Sequence, residues 1–270
     1  MADNSSIEWT DASWNPVTGC TEVSPGCAMC YARVFAERFR GVPGHHFEHG
    51  FDLRLWPDRL TLPLRWKRPR RIFVNSVSDL FHQDIPTEFI LAVFDTMRRA
   101  DQHTYQVLTK RPSRAVLLVP QLLEALGGSW PEHIWMGVSV ETQDYTWRVD
   151  KLRQIPASTR FISAEPLLGP LSLNLNGIAW AITGAESGRG ARPMKEDWVR
   201  SLLDQATLAQ VAFFYKQNAL QGRKLPLPML DGVVWNEFPD APIWRTSSQL
   251  ARELGGTGGA LDEKPWCPPS

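Results

Sequence analysis

Six short apolar or β-branched runs, each closing on polar residues, alternate with segments of helical spacing. This alternation limits the fold more than any other feature of the chain. The runs cover residues 71–75 (RIFVN), 105–109 (YQVLT), 134–140 (IWMGVSV), 160–164 (RFISA), 178–183 (IAWAIT) and 212–215 (AFFY). They are rich in Ile, Val and Phe and lack strict alternation, as strands buried on both faces do. The clearest helical segment is 87–100, where Phe89, Ile90, Val93, Phe94 and Met97 form a stripe and Thr87, after Pro86, is the expected N-cap. Further helices are expected over 113–126, 144–154 and 196–209. Strand and helix in alternation call for a mainly parallel sheet with right-handed crossovers, either doubly wound or a (β/α) barrel.

The residues at the strand ends favour the barrel. Asn75, Ser76, Ser78 and Asp79 follow the first run, Thr109, Lys110 and Arg111 the second, and Ser139 and Glu141 the third. Ser163 and Glu165 follow the fourth, Gly184, Glu186 and Ser187 the fifth, and Lys216, Gln217 and Asn218 the sixth. The C-terminal rim of a parallel barrel gathers such residues into one site. The expected architecture is α/β: a partial barrel of about six parallel strands in one domain over 1–254. A Gly- and Pro-rich tail, 255–270, is expected to be flexible and to carry Cys267 unpaired.

With 29 basic and 29 acidic side chains and 43% apolar residues, the composition is that of a globular protein and excludes a collagen-like fibre or a disulfide mini-protein. The longest apolar stretches, 115–119 and 178–182, are far too short to span a bilayer. The polar, acidic start of the chain has no signal-peptide pattern, so a cytoplasmic location is expected. No Walker loop, GxSxG elbow or HExxH motif occurs, and GAESGRGARP matches no dinucleotide fingerprint.

The strongest chemical signal is Cys20, Cys27 and Cys30 in GCTEVSPGCAMCYA, a C-x6-C-x2-C arrangement in a turn-rich loop (20–30). In a reducing compartment three close thiols are metal ligands more often than disulfide partners. Three readings stand: buried thiols without a metal, a zinc site completed by His45, His46 or His49, and an iron–sulfur cluster with one iron free of protein ligands.

Three cysteines in an N-terminal loop ahead of βα units resemble the radical S-adenosylmethionine superfamily, whose usual first gap is three residues where this one is six. The phrases IEWTDASWNPVTGC, CAMCYA, RIFVNSVSDLFH, YQVLTKRP, GVSVE, RFISAEPLL, ITGAESG and FFYKQ, in order from residue 7 to 217, resemble an uncharacterised family of phage and bacterial three-cysteine-motif proteins, distantly similar to spore photoproduct lyase. The resemblance implies a partial barrel of the radical S-adenosylmethionine type. It implies a 4Fe-4S cluster on Cys20, Cys27 and Cys30, with S-adenosylmethionine on the open iron and an electron donor as partner. By position, Met29 would pack on adenine, Ser76 and Asp79 would hold the methionine amino group, and Lys110 the carboxylate. Ser139 and Glu141 would hold the ribose, and Glu186 would lie near adenine.

The segment RWKRPRR concentrates Arg65, Lys67, Arg68, Arg70 and Arg71 around Trp66 in a chain without net charge. It reads as a phosphate-contacting segment with a stacking ring, and nucleic acid, single-stranded or locally opened DNA above all, as the partner. Of the 12 tryptophans most fill a core, while Trp9, Trp14, Trp56 and Trp66 lie in polar stretches and are candidate platforms. His45, His46 and His82 are rim candidates. The expected function is a radical S-adenosylmethionine-like protein acting in DNA repair or modification. The alternatives are a non-catalytic iron–sulfur nucleic-acid-binding protein and a zinc-stabilised binding module.

Overall fold

A computed structural model describes residues 5–188, 190–220 and 222–239, which form one compact unit. Eight strands make one sheet: β1 (Ala12–Trp14), β2 (Arg71–Val74), β3 (Thr104–Thr109), β4 (Ile134–Ser139), β5 (Arg160–Ala164), β6 (Trp180–Gly184), β7 (Ala212–Leu220) and β8 (Arg223–Pro226). Their order in space is their order in the chain. Every neighbouring pair from β1 to β7 is parallel, and β8 turns back antiparallel on β7. The fold is therefore α/β with a mostly parallel, curled sheet, and it has seven parallel strands where the apolar runs announce six.

The curl follows from contacts that a flat sheet forbids. β1 and β6 stand five strand spacings apart, about 24 Å in a flat sheet. The Trp9 ring, just before β1, nevertheless lies 6.1 Å from that of Trp180 at the start of β6. Trp9, Phe73, Trp135, Phe161, Trp180, Ile182 and Phe214 form the inner cluster that the sheet closes around. The larger cluster lies on the outer face, where Ile72, Val74, Tyr105, Val107, Met136, Val138 and Ile162 meet the helices. Across the open seam Lys224 of β8 reaches Glu8, with Nζ 2.6 Å from Oε1.

The helices are α1 (Tyr31–Glu37), α2 (Thr87–Arg99), α3 (Pro112–Ala125), α4 (Trp147–Leu152) and α5 (Glu196–Leu208). Ile90, Val93, Phe94 and Met97 of the α2 stripe are buried, as their spacing predicts. Thr87 is not the cap of α2. Pro86, extended at φ −56° and ψ 141° and lacking an N–H to satisfy, precedes it in that role. The helix expected over 144–154 contracts to α4 after a 3₁₀ turn, and no helix forms between β5 and β6. Among the described residues no helix is long and apolar enough to cross a membrane. The boundary at 254 and the tail with Cys267 lie outside the described residues.

Candidate functional site

Strand β1 delivers the chain to the C-terminal rim, and the cysteine loop follows it, ending where α1 begins beside Cys30. Cys20, Cys27 and Cys30 are free thiols bordering one cavity of about 370 Å³. The ends of β2 to β5 and of β7 contribute Ser76, Asp79, Lys110, Ser139 and Glu165 to its lining, which Trp9 and Lys224 also join.

Polar contacts from four parts of the rim hold the loop. The Arg111 guanidinium donates to the Thr21 carbonyl at 3.0 Å, to Thr21 Oγ1 at 2.9 Å and to Cys20 Sγ at 3.3 Å. His82, fully buried, meets Thr21 Oγ1 at 2.8 Å through Nε2. Ser24 donates to Glu141 Oε1 at 2.7 Å, and Arg192 donates to the Pro25 carbonyl at 3.0 Å. Gly26 lies so close to the Glu141 carboxylate that a Cβ there would stand 2.6 Å from Oε1. Tyr31, opening α1, donates to the Ser76 carbonyl.

These contacts change what the strand-end carboxylates do. Asp79 lines the cavity but accepts from Thr109 Oγ1 (2.7 Å) and the backbone N–H groups of Phe81 and Lys110 (3.0 and 2.9 Å), with Arg111 at 3.4 Å. Glu141, 0% exposed, takes Arg148 at 2.9 Å on Oε2 and has Lys110 Nζ 3.4 Å from Oε1. Burial alone would raise its pKa, but Lys110, Arg148 and the Ser24 hydroxyl together outweigh burial and hold it below the ordinary carboxylate value. Glu186 is likewise opposed by burial and held low by three contacts from Arg192. Glu141 and Glu186 are not cavity walls; they anchor Ser24 and, through Arg192, Pro25. Met29 is also outside the lining, half-buried against Gly190.

The cavity lining also carries a group that the sequence reading left out of its site. Lys216 Nζ lies 2.7 Å from Glu165 Oε1, and Ser163 donates to Glu165 Oε2 at 3.1 Å. Ser163, Glu165 and Lys216 were legible as strand-end residues, but no motif distinguishes them from their neighbours. Asn75 ends β2 in the left-handed conformation, φ 62°, which a short amide tolerates. Its Nδ2 is buried at the cavity wall without a hydrogen-bond partner among the described residues.

The basic segment lies elsewhere. It enters β2 at its N-terminal end, whereas the cavity gathers at the C-terminal ends. Arg65, Lys67 and Arg68 are exposed, Arg70 lies 5.3 Å over the Trp66 ring, and Arg71 pairs with Asp11 at 3.4 Å. Trp9 and Trp14 are core residues rather than platforms, at 1% and 0% exposure, Trp9 in the inner cluster and Trp14 in the outer one. Trp56 is half-buried, with Arg59 4.3 Å over its ring.

A zinc ion needs four ligands meeting at one point, and among the described residues no three Cys, His, Asp or Glu side chains are grouped to hold a single ion. His45 stacks on Phe39 at 3.9 Å, and His46 lies against Arg59 and Trp56. In a polynuclear cluster each thiolate binds a different iron, so three thiols bordering one hollow fit it without converging. Cys20 is raised above an ordinary thiol by burial and by Asp79, against the lowering effect of Arg111.

The profile of the family described as "Protein of unknown function (DUF5131)" matches residues 4–239. The chain belongs to that family. No curated protein matches it in sequence. Two solved structures of spore photoproduct lyase are similar. One is a double mutant with bound AdoMet and dinucleoside spore photoproduct, with TM-score 0.43, 12% identity and coverage of 72% of this chain and 60% of that one. The other is complexed with dinucleoside spore photoproduct, with TM-score 0.41, 12% identity and coverage of 71% and 59%. The chain thus spans about 60% of the length of the lyase it is similar to.

Proposed function

We propose that this protein carries an iron–sulfur cluster on Cys20, Cys27 and Cys30, binds S-adenosylmethionine in the adjoining cavity and acts on nucleic acid, as in repair or modification. The observation that carries this reading is the anchored loop, which presents three free thiols at the edge of one rim cavity. The chemistry such a pair supplies when bound is reductive cleavage of a sulfonium carbon–sulfur bond and hydrogen-atom abstraction from substrate. Ser76, Ser139, Asn75 and Lys110 would meet the polar groups of the cofactor, since they line the cavity. Arg111 and the buried carboxylates would hold the thiols in place and keep water from the loop's inner side.

Exposed Arg65, Lys67 and Arg68, beside the Arg70–Trp66 stack, support a phosphate backbone as partner. They would grip it away from the cavity. Anaerobic purification with iron and sulfide analysis tests the reading. Iron and sulfide in the parent, lost in Cys27→Ala, with deoxyadenosine released under dithionite, are the results expected. A metal-free protein or stoichiometric zinc after anaerobic reconstitution overturns the cluster. A cluster without cofactor binding leaves an iron–sulfur nucleic-acid-binding protein and removes the radical chemistry.

A further inference from the structure

The Lys216–Glu165 pair is built in a way that core packing does not require. β6 and β7 pair Thr183 with Tyr215 but Gly184 with Gln217, so Lys216 is the extra residue of a β-bulge. Bulges re-aim side chains beside functional sites, and here Lys216 and Gln217 both border the cavity. Glu165 comes from the end of β5 and reaches Lys216 across the intervening β6. Gly184 lies beneath that path: a Cβ there would stand 2.9 Å from Glu165 Oε1 and 3.1 Å from Gln217 Cγ and would push the carboxylate aside. Ser163 fixes the other carboxylate oxygen. Three strands thus cooperate to place one ammonium at the wall of the hollow that the cysteines also border.

The pair is only partly buried, at 16% and 13% side-chain exposure, and a pair so placed adds little net stability. Lysine has three N–H donors, and among the described residues Glu165 is the partner recorded for Lys216. The ammonium therefore faces the cavity with donors to give. A second lysine, Lys224 of β8, borders the same hollow beside the open seam and rests on Glu8 at 2.6 Å.

We propose that Lys216 and Lys224 form a phosphate subsite, through which a phosphodiester of the substrate enters the cavity from the seam and faces the cysteine loop. This rests on the nucleic-acid part of the function proposed above, and it assigns the contact within the cavity that the basic segment cannot make. Glu165 and Glu8 act as positioning residues for the two ammonium groups.

The test is binding of a short, labelled single-stranded oligonucleotide by anisotropy, with metal-free and cluster-reconstituted full-length protein, across a salt series. Lys216→Gln should weaken binding about tenfold or more and lower the salt slope by about 0.7, the value for one phosphate contact to a single strand. Lys224→Gln should act in the same direction. Lys216→Arg should retain binding, and the Glu165→Gln, Lys216→Gln double variant, which leaves no unpaired carboxylate, should bind as weakly as Lys216→Gln while melting as the parent does. Competition by inorganic phosphate as potent as by the oligonucleotide would overturn the nucleic-acid source of the anion. Parent affinity and slope in the folded Lys216→Gln protein would overturn the subsite itself. A parent protein that binds no oligonucleotide, with or without the cluster, would overturn the nucleic-acid reading and the subsite with it, whereas parent binding left undiminished in Lys216→Gln would overturn the subsite alone.

Discussion

Glu141 shows how one side chain can be legible in kind and not in role. Its place at the end of a strand marks it as a rim residue, yet its partners Ser24 and Arg148 lie 117 and 7 positions away in the chain, and nothing local announces the first. The same holds for Arg111 and Thr21, 90 positions apart. Rim chemistry is written in strand-end composition, whereas the division between side chains that face a ligand and those that hold a loop is set by long-range hydrogen bonds. Ser24→Ala removes a hydrogen bond to a buried carboxylate, worth about 1.5–3 kcal/mol. Alkylation of Cys27 in the metal-free protein should then speed up by about tenfold or more, while Ser24→Thr should react as the parent does. Arg148→Met leaves buried Glu141 to Lys110 and Ser24 alone and should lower stability by about 3 kcal/mol in urea unfolding, the low end of the range for breaking a buried pair. Adding Glu141→Gln should recover much of that loss, and equal stability of parent and Arg148→Met would remove the ion pair from the account.

Elements with a clear period were readable, and those without one were not. The runs at 71–75 and 160–164 and the stripe at 87–100 appear as β2, β5 and α2 within a residue or two, because burial on one face or both imposes the period. β1 has three residues and no apolar run, and it exists because the sheet extends to it through Ile72, Phe73 and Val74. α1 carries buried Ala32 and Ala36 against Phe47 and Phe51, a small satellite cluster that closes behind the cysteine loop. His46 sits in the turn that completes it. Burial first, and the Arg59 guanidinium next, depress its pKa to about 4. An unfolded histidine titrates near 6.5, so between these values the unfolded chain binds the proton and the folded one does not. Stability should therefore fall as the pH drops from about 6.5 to 4, by no more than about 1–2 kcal/mol for a half-buried ring. Urea unfolding at pH 7 and pH 5 should show a smaller difference in His46→Gln than in the parent, and an unchanged difference would clear His46 of this role.

The curl that a partial barrel requires was legible from the strand-end residues, whereas the aromatic cluster on its concave face, which no strand pattern announces, was not. Trp9 lies outside every strand, yet its ring meets Phe73 of β2 at 4.6 Å, Phe161 of β5 at 6.5 Å and Trp180 of β6 at 6.1 Å. Gln106 of β3 donates to its carbonyl at 3.1 Å, so backbone and ring both tie the N-terminal segment to the concave face. Trp9 also forms part of the cavity wall, directly linking the packing that bends the sheet to the hollow beside the cysteines. Trp9→Ala should cost about 3–5 kcal/mol, the range for deleting a large buried aromatic. A substitution confined to packing would stop there. If Trp9 sets the curl, Trp9→Ala at low denaturant should also loosen the seam between β1 and β8, since Glu8 is its immediate neighbour and holds Lys224. Hydrogen exchange of residues 5–14 and 223–226 measures this directly. Faster exchange in both segments, with β4 unchanged, is the outcome expected, whereas protection that drops evenly through the sheet would make Trp9 an ordinary core residue and leave the curl to the strands themselves.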